Sequence, residues 1–231
     1  MDTQNIVDDM FRAGVQYGYS KSRRHPSVSP YVFTTKNGLD IIDIEKSEIL
    51  LEKACQEVSA LAASGKVILF VGTKPESRQQ ITETALALEM PYVSERWVGG
   101  ALTNFSEIKK RISKLLEMRE QKEKGVFEKY TKKEKLLIDR EMEDMTRNFQ
   151  GLTSISKNPD AVFIVDPKKE HIAVSEAKKL GLPVFAVLNT DCNLKEIDYP
   201  IVGNDASVTS ITFFLDKIKE AYRKGASGIN N

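Results

Sequence analysis

Val67-Ile68-Leu69-Phe70-Val71-Gly72-Thr73-Lys74-Pro75-Glu76-Ser77-Arg78 sets the pattern of this chain. Five apolar residues run without a polar break, as a strand covered on both faces requires. A glycine closes the run, and Pro75 opens a helical stretch that reaches Glu89. The same order of strand and helix recurs outward from here. Candidate strands are residues 39–44, 67–71, 91–94, 161–165, 184–188 and 199–202, with helical stretches at 45–64, 75–89, 167–180 and 207–224. Gly65 and Gly181 stand where helices should stop, and Pro183 lies just beyond the second. The repetition predicts an α/β fold with a doubly wound parallel sheet.

One segment breaks this rhythm. From Asn104 to Gly151 there is no strand pattern, only two charged helical stretches joined near Gly125-Val126-Phe127. Phe105, Ile108, Ile112 and Leu115 form a narrow stripe on the first, and Ile138, Met142, Met145 and Phe149 form one on the second. Thr131 and Glu134 have capping-box spacing, and Asn104 with Glu107 has the same spacing at the first helix. The expectation is an inserted antiparallel two-helix coiled coil at 104–151, protruding from an α/β body made of 1–103 and 152–231.

The body meets the hairpin at Arg96-Trp97-Val98-Gly99-Gly100-Ala101-Leu102-Thr103-Asn104-Phe105. Paired glycines let backbone approach a partner closely, and a helix starting at Thr103 or Asn104 aims its N–H groups at an anion. The loop therefore reads as a docking point for phosphate, from a small molecule or from nucleic acid. Its alternative is a plain capping turn with Trp97 in the core. Trp97, Gly99, Gly100, Thr103 and Asn104 are taken as the structural junction.

Composition narrows the class. The 231 residues are 41% hydrophobic and 29% charged, which suits a globular protein with an ample core. No apolar run approaches the ~20 residues of a membrane span, and Met1-Asp2-Thr3-Gln4-Asn5 does not resemble a targeting leader. Cys55 and Cys192 are expected to be free thiols in a reducing, cytoplasmic setting. The net charge of +1 conceals an uneven distribution. Arg12, Lys21, Arg23, Arg24 and Lys36 fall in a stretch without acids, interleaved with tyrosine, glycine and proline. Such a segment suits RNA, with cations on phosphates and rings free either to stack on bases or to anchor the loop.

Catalytic chemistry is poorly supported. The Gly72–Lys74 turn lacks the spacing of a dinucleotide or phosphate loop, so Lys74 and Arg78 are candidates for RNA phosphate instead. Asp166 with His171 resembles an acid–base pair, but Asp166-Pro167 reads better as a helix start. No metal-ligand spacing occurs, and neither a catalytic residue nor a cofactor is assigned. A sugar-phosphate binding or isomerase domain and a protein–protein adaptor built on the coiled coil remain as alternatives.

Several blocks in order resemble the bacterial type of the small-subunit ribosomal protein S-two family. They are Pro30-Tyr31-Val32-Phe33, Asn37–Asp43, Leu69–Lys74, Arg96–Gly100 with Leu102–Phe105, Val165–Val174 and Gly203-Asn204-Asp205. The resemblance implies a flavodoxin-like body, a protruding coiled coil, no enzymatic activity, and attachment to small-subunit (16S-type) rRNA and neighbouring ribosomal proteins in the cytoplasm. It implies no membrane and no small-molecule substrate. Lys21, Arg23, Arg24, Lys74, Arg78, Arg96, Lys109, Lys110 and Arg111 are the residues expected to meet RNA. Two departures stand out. The family's G-V-H-F-G-H reads Gly14-Val15-Gln16-Tyr17-Gly18-Tyr19 here, so no role of those histidines, metal binding included, carries over. The following basic loop is one residue shorter, with serines for two lysines.

Overall fold

A computed structural model describes residues 3–155 and 157–228. Met1 and Asp2, part of the stretch read for a leader, lie outside them. The chain opens with α1 (Thr3–Arg12), then β1 (Tyr17–Ser20), β2 (Val32–Lys36), β3 (Leu39–Ile42) and α2 (Ile44–Ala63). Next come β4 (Ile68–Val71), α3 (Pro75–Ala87), β5 (Tyr92–Val93), α4 (Phe105–Glu123) and α5 (Lys132–Phe149). The last elements are β6 (Ala161–Val165), α6 (His171–Lys179), β7 (Val184–Leu188), β8 (Tyr199–Val202) and α7 (Val208–Ser227).

Five strands form a parallel sheet in the order β5-β4-β6-β7-β8. Counted from β4, this is the 2-1-3-4-5 order of flavodoxin-like sheets, whose topological switch lies between β4 and β6. Strand alternation sorts the core. Ile68, Phe70, Phe163, Val165, Phe185 and Val187 face a cluster with α2, α3 and α7. Leu69, Val71, Val162, Ile164, Ala186 and Leu188 face the other cluster, with α6 and Trp97. Continuous apolar runs are what two covered faces demand. Gly72 serves packing at this point: a Cβ there would lie 2.8 Å from Ser77 Oγ and 2.9 Å from Ile81, so its bareness lets α3 close on the strand end.

Two expectations need correction. The candidate strand at 39–44 is not part of the parallel sheet: β3 is the centre of a separate antiparallel sheet ordered β1-β3-β2. Neither β1 nor β2 carries a fully buried residue, β1 being partly buried and β2 exposed beyond Val32, so no continuous apolar run marked them. The helix expected from Pro167 begins at His171 instead. Asp166 takes a left-handed φ of 63°, and a turn intervenes before the helix. Its carboxylate still accepts from the Lys169 amide at 3.1 Å, so the capping chemistry survives without the helix.

The stretch 104–151 forms two helices linked through the short 3-10 turn Val126–Lys129. The second begins with the full reciprocal Thr131–Glu134 capping box. At the first, the Asn104 side chain caps nothing, and Glu107 pairs with Lys110 instead. Lys114–Glu141, Lys122–Asp139 and Arg119–Thr146 bridge α4 and α5 in antiparallel register. Ile108, Ile112, Leu115 and Phe149 belong to the same buried cluster as Trp97 and the sheet, so the root of the hairpin is anchored in the core.

Candidate nucleic-acid interface

The loop from Arg96 to Asn104 is shaped around an anion, and the anion comes from the chain itself. Glu176 on α6 is buried, and its carboxylate lies beneath the loop. Oε1 accepts from Trp97 Nε1 at 3.1 Å and the Gly100 amide at 2.8 Å. Oε2 accepts from the Leu102 amide at 3.0 Å, and from the Thr103 amide and hydroxyl at 3.1 Å each. Burial pushes this carboxyl up, but the backbone and indole donors outweigh it and hold it below the usual glutamate range. Gly100 needs its glycine for a φ of 86°, which turns its amide towards the carboxylate. Gly99 has open space where a Cβ would stand. The anion-docking geometry read from the loop is therefore filled from within. Sequence reasoning missed Glu176, although the signal was there: it is an acid on the same inward face as Ala173 and Ala177.

The second anionic centre sits at the carboxyl crest of the sheet, over the switch point where open α/β sheets bind ligands. Lys74 Nζ lies 2.6 Å from Asp166 Oδ2 and 3.1 Å from Asp205 Oδ2. Asp205 is fully buried and also accepts from Asn189 Nδ2 at 3.2 Å. Burial raises the Asp205 carboxyl to about 6 against the pull of Lys74. Burial alone would lower the Lys74 ammonium, yet Asp205 and Asp166 together raise it above the usual lysine value. Thr73 donates from amide and hydroxyl to buried Glu170, whose carboxyl burial raises. The crevice of a ligand-binding sheet is thus occupied by the chain's own ion network.

The basic N-terminal segment closes that crest. Its backbone is fixed to the loops after β7 and β8: the His25 amide donates to the Thr190 carbonyl at 2.8 Å, and the Asn204 amide to the Val15 carbonyl at 3.0 Å. Arg24 makes a two-pronged ion pair with wholly buried Asp40 and also donates to Thr35 Oγ1. The guanidinium holds the Asp40 carboxyl below its ordinary value. Arg23 is half exposed, 2.8 Å from Asp191 Oδ2, with its guanidinium 4.0 Å above the Tyr19 ring. Lys168 reaches the same Asp191 oxygen at 2.9 Å. Tyr19, which replaces a histidine of the expected pattern, has its hydroxyl 3.4 Å from Lys74 Nζ. Gln16, which replaces the other, is buried. Among the described residues no cluster of His, Cys, Asp and Glu could hold a metal ion.

The remaining candidate cations are placed differently. Lys21 is exposed beside the Gly38 turn, to whose carbonyl its amide donates at 2.9 Å. Arg78 pairs with Glu95 at 2.9 Å, both partly exposed. Arg96, Lys109, Lys110 and Arg111 are all exposed, with Lys110 2.6 Å from Glu107 in a solvated pair. Arg96 and Arg111 line one groove between the loop and the hairpin root. Three of the nine candidates, Arg24, Lys74 and Arg23, are bound to buried carboxylates, whereas the hairpin-root cations face outward.

Residues 10–225 match the family model described as ribosomal protein S2. The chain is 42% identical over 220 residues to a protein of Dictyoglomus thermophilum named small ribosomal subunit protein uS2, covering 95% of this chain and 89% of that one. Proteins of the same name from Chlorobaculum tepidum and Acidothermus cellulolyticus are 40% and 43% identical over 220 residues, covering 95% of this chain and 88% and 80% of theirs. That family is structural and non-enzymatic. With its sheet order, its filled crest and these matches, the chain belongs to the ribosomal protein S2 family.

Proposed function

We propose that this chain is a structural component of the small ribosomal subunit, binding small-subunit rRNA and neighbouring ribosomal proteins to support assembly and translation. It works in the cytoplasm, within that subunit. The observation that carries the reading is the exposed group Arg96, Lys109, Lys110 and Arg111 at the hairpin root, beside a sheet crest already filled by the chain's own charges. Exposed cations around a rigid junction suit a phosphate backbone, which is recognised by charge and position. The body, residues 1–103 and 152–231, docks on RNA through this junction and through Lys21, with Arg78 and the outer edge of Arg23 contributing. Residues 104–151 act as a protruding antiparallel coiled coil that braces RNA or a protein neighbour. Arg24 and Lys74 serve this function indirectly, by holding the basic segment in place.

Family membership supports the same reading, since the relatives bear the name of a small-subunit protein. The test is binding of the full chain to small-subunit rRNA across a salt series, together with sedimentation with small subunits. Each phosphate contact should steepen the dependence by about 0.7–0.9 log units per log salt. Absence of salt-sensitive binding and of co-sedimentation sinks the reading.

A further inference from the structure

The groove between the 96–99 loop and the hairpin root has a volume of about 650 Å³. That lies within the range of sites that enclose a small organic molecule, about 300–1,000 Å³. Its floor is apolar: Trp97, Val98, Met145 and Phe149. Its rim carries Arg96 and Arg111. Two acids share the lining, Glu141 in a close ion pair and Asp144 in a loose, solvated one. Lys114 lies 2.5 Å from Glu141, and Asp144 faces Arg147 at 3.9 Å. Asn148 donates from Nδ2 to the Asp144 carbonyl. The Trp97 indole N–H is committed to Glu176, so the groove meets the ring and not its donor. The wall is held from beneath by the same carboxylate, which ties down Gly100, Leu102 and Thr103.

Apolar lining beside two guanidinium groups suits an unpaired nucleobase with its own phosphate. Bases out of a helix are recognised by apolar and aromatic surfaces and by Arg planes, while their phosphates seek cations. A paired duplex offers only its backbone to such a groove and leaves the floor uncovered. We infer that the groove takes a single extruded nucleotide of the RNA, its base over Val98 and Met145, its phosphate between Arg96 and Arg111. The inference rests on the RNA-binding reading and adds the class of nucleotide that this junction selects.

The test uses the full chain and three probes: AMP, ribose 5-phosphate and adenosine. Trp97 is the only tryptophan, so its single indole N–H resonance reports on the groove without ambiguity. AMP should shift that resonance saturably, and the probe lacking either base or phosphate should bind about tenfold more weakly. Arg96→Gln with Arg111→Gln should reduce AMP to the level of adenosine, while the indole resonance before addition stays where it was, showing an intact loop. Equal binding of AMP and ribose 5-phosphate would reduce the groove to an anion contact and overturn the inference. So would equal binding of AMP and adenosine, or no saturable shift at all. Salt-sensitive rRNA binding that survives such a result leaves the ribosomal reading standing. Loss of both removes both.

Discussion

At the carboxyl crest of the sheet the cations face buried carboxylates; at the root of the hairpin they face solvent. Lys74, Arg24 and Arg23 answer Asp205, Asp40 and Asp191, which are wholly or nearly buried. Arg96 and Arg111 meet no such partner on their groove. The difference follows from desolvation. A carboxylate removed from water is tolerated only with a close cation and further hydrogen bonds, so each buried acid captures a base for the fold. A cation can be offered to an outside anion only where the fold places no buried acid within reach. The crest therefore holds the N-terminal segment down, and the hairpin root remains available.

The largest expected effect comes from emptying the crest of its cation. Lys74→Met leaves Asp205 and Asp166 without their common partner, and breaking a buried pair from one side costs about 3–5 kcal/mol. Urea denaturation measures it. A loss below about 1 kcal/mol would mean that the crest charges behave as a solvated surface pair, and the contrast with the hairpin root would collapse. Glu176→Gln comes next. The amide keeps one acceptor but turns an NH2 group towards donors, so a cost of about 2–4 kcal/mol is expected from unmet hydrogen bonds to a former charge. Emission from Trp97 should move with it, because its indole N–H loses a partner. Unchanged emission with unchanged stability would show that the loop holds its shape without the carboxylate.

Why the crest was legible only in part can be said in terms of distance along the chain. Alternating strand and helix is a local pattern, and it led to all five strands of the parallel sheet, to α2, α3 and α7 and to the Thr131 capping box. Partners across the fold leave no local trace. Glu176 reaches the loop from 73 to 79 residues away, and Asp191 reaches Arg23 from 168. A loop rich in donors announces an anion but not whose anion it is. A basic stretch announces cations but not whether a distant acid has taken them. The antiparallel sheet was missed for a related reason: little is buried on β1 and β2, and the polar contacts that join Thr35 to Asp40 beneath Arg24 leave no apolar alternation to read.

The two internal carboxylates also set opposite pH responses. Glu176 has its folded value lowered, so its contribution is present above the unfolded glutamate value and is lost as pH falls through the folded one. Asp205 is raised from 3.8 to about 6, so the folded state binds a proton more readily. Its contribution is full below the unfolded value and is lost as pH rises from about 4 to about 6. Glu176 acts at and below the ordinary glutamate value, and Asp205 mainly above it. Asp205→Asn removes the falling contribution, so between pH 4 and 6 the variant should gain ~1–3 kcal/mol relative to the unaltered chain. A profile parallel to that of the unaltered chain would show that Asp205 does not titrate in this window.

The smallest change in stability should come from the exposed cations, and it separates the two regions most cleanly. Arg111→Gln and Lys110→Gln touch no buried acid, and their stability should stay within about 0.5 kcal/mol of the starting chain. Each should nevertheless flatten the salt dependence of rRNA binding by about 0.7–0.9 in slope, because one fewer phosphate is neutralised. Arg24→Gln should behave in the reverse way. Asp40 would lose a two-pronged partner in a buried setting, so stability should fall by about 2–3 kcal/mol. The slope of whatever binding persists should stay nearly constant, since that guanidinium is turned inward to Asp40 and Thr35. A cation that changes slope without stability is spent on RNA, and one that changes stability without slope is spent on the fold. If Arg24→Gln altered slope as much as Arg111→Gln did, the N-terminal ion pair would have to open on binding, and the crest would count as part of the interface.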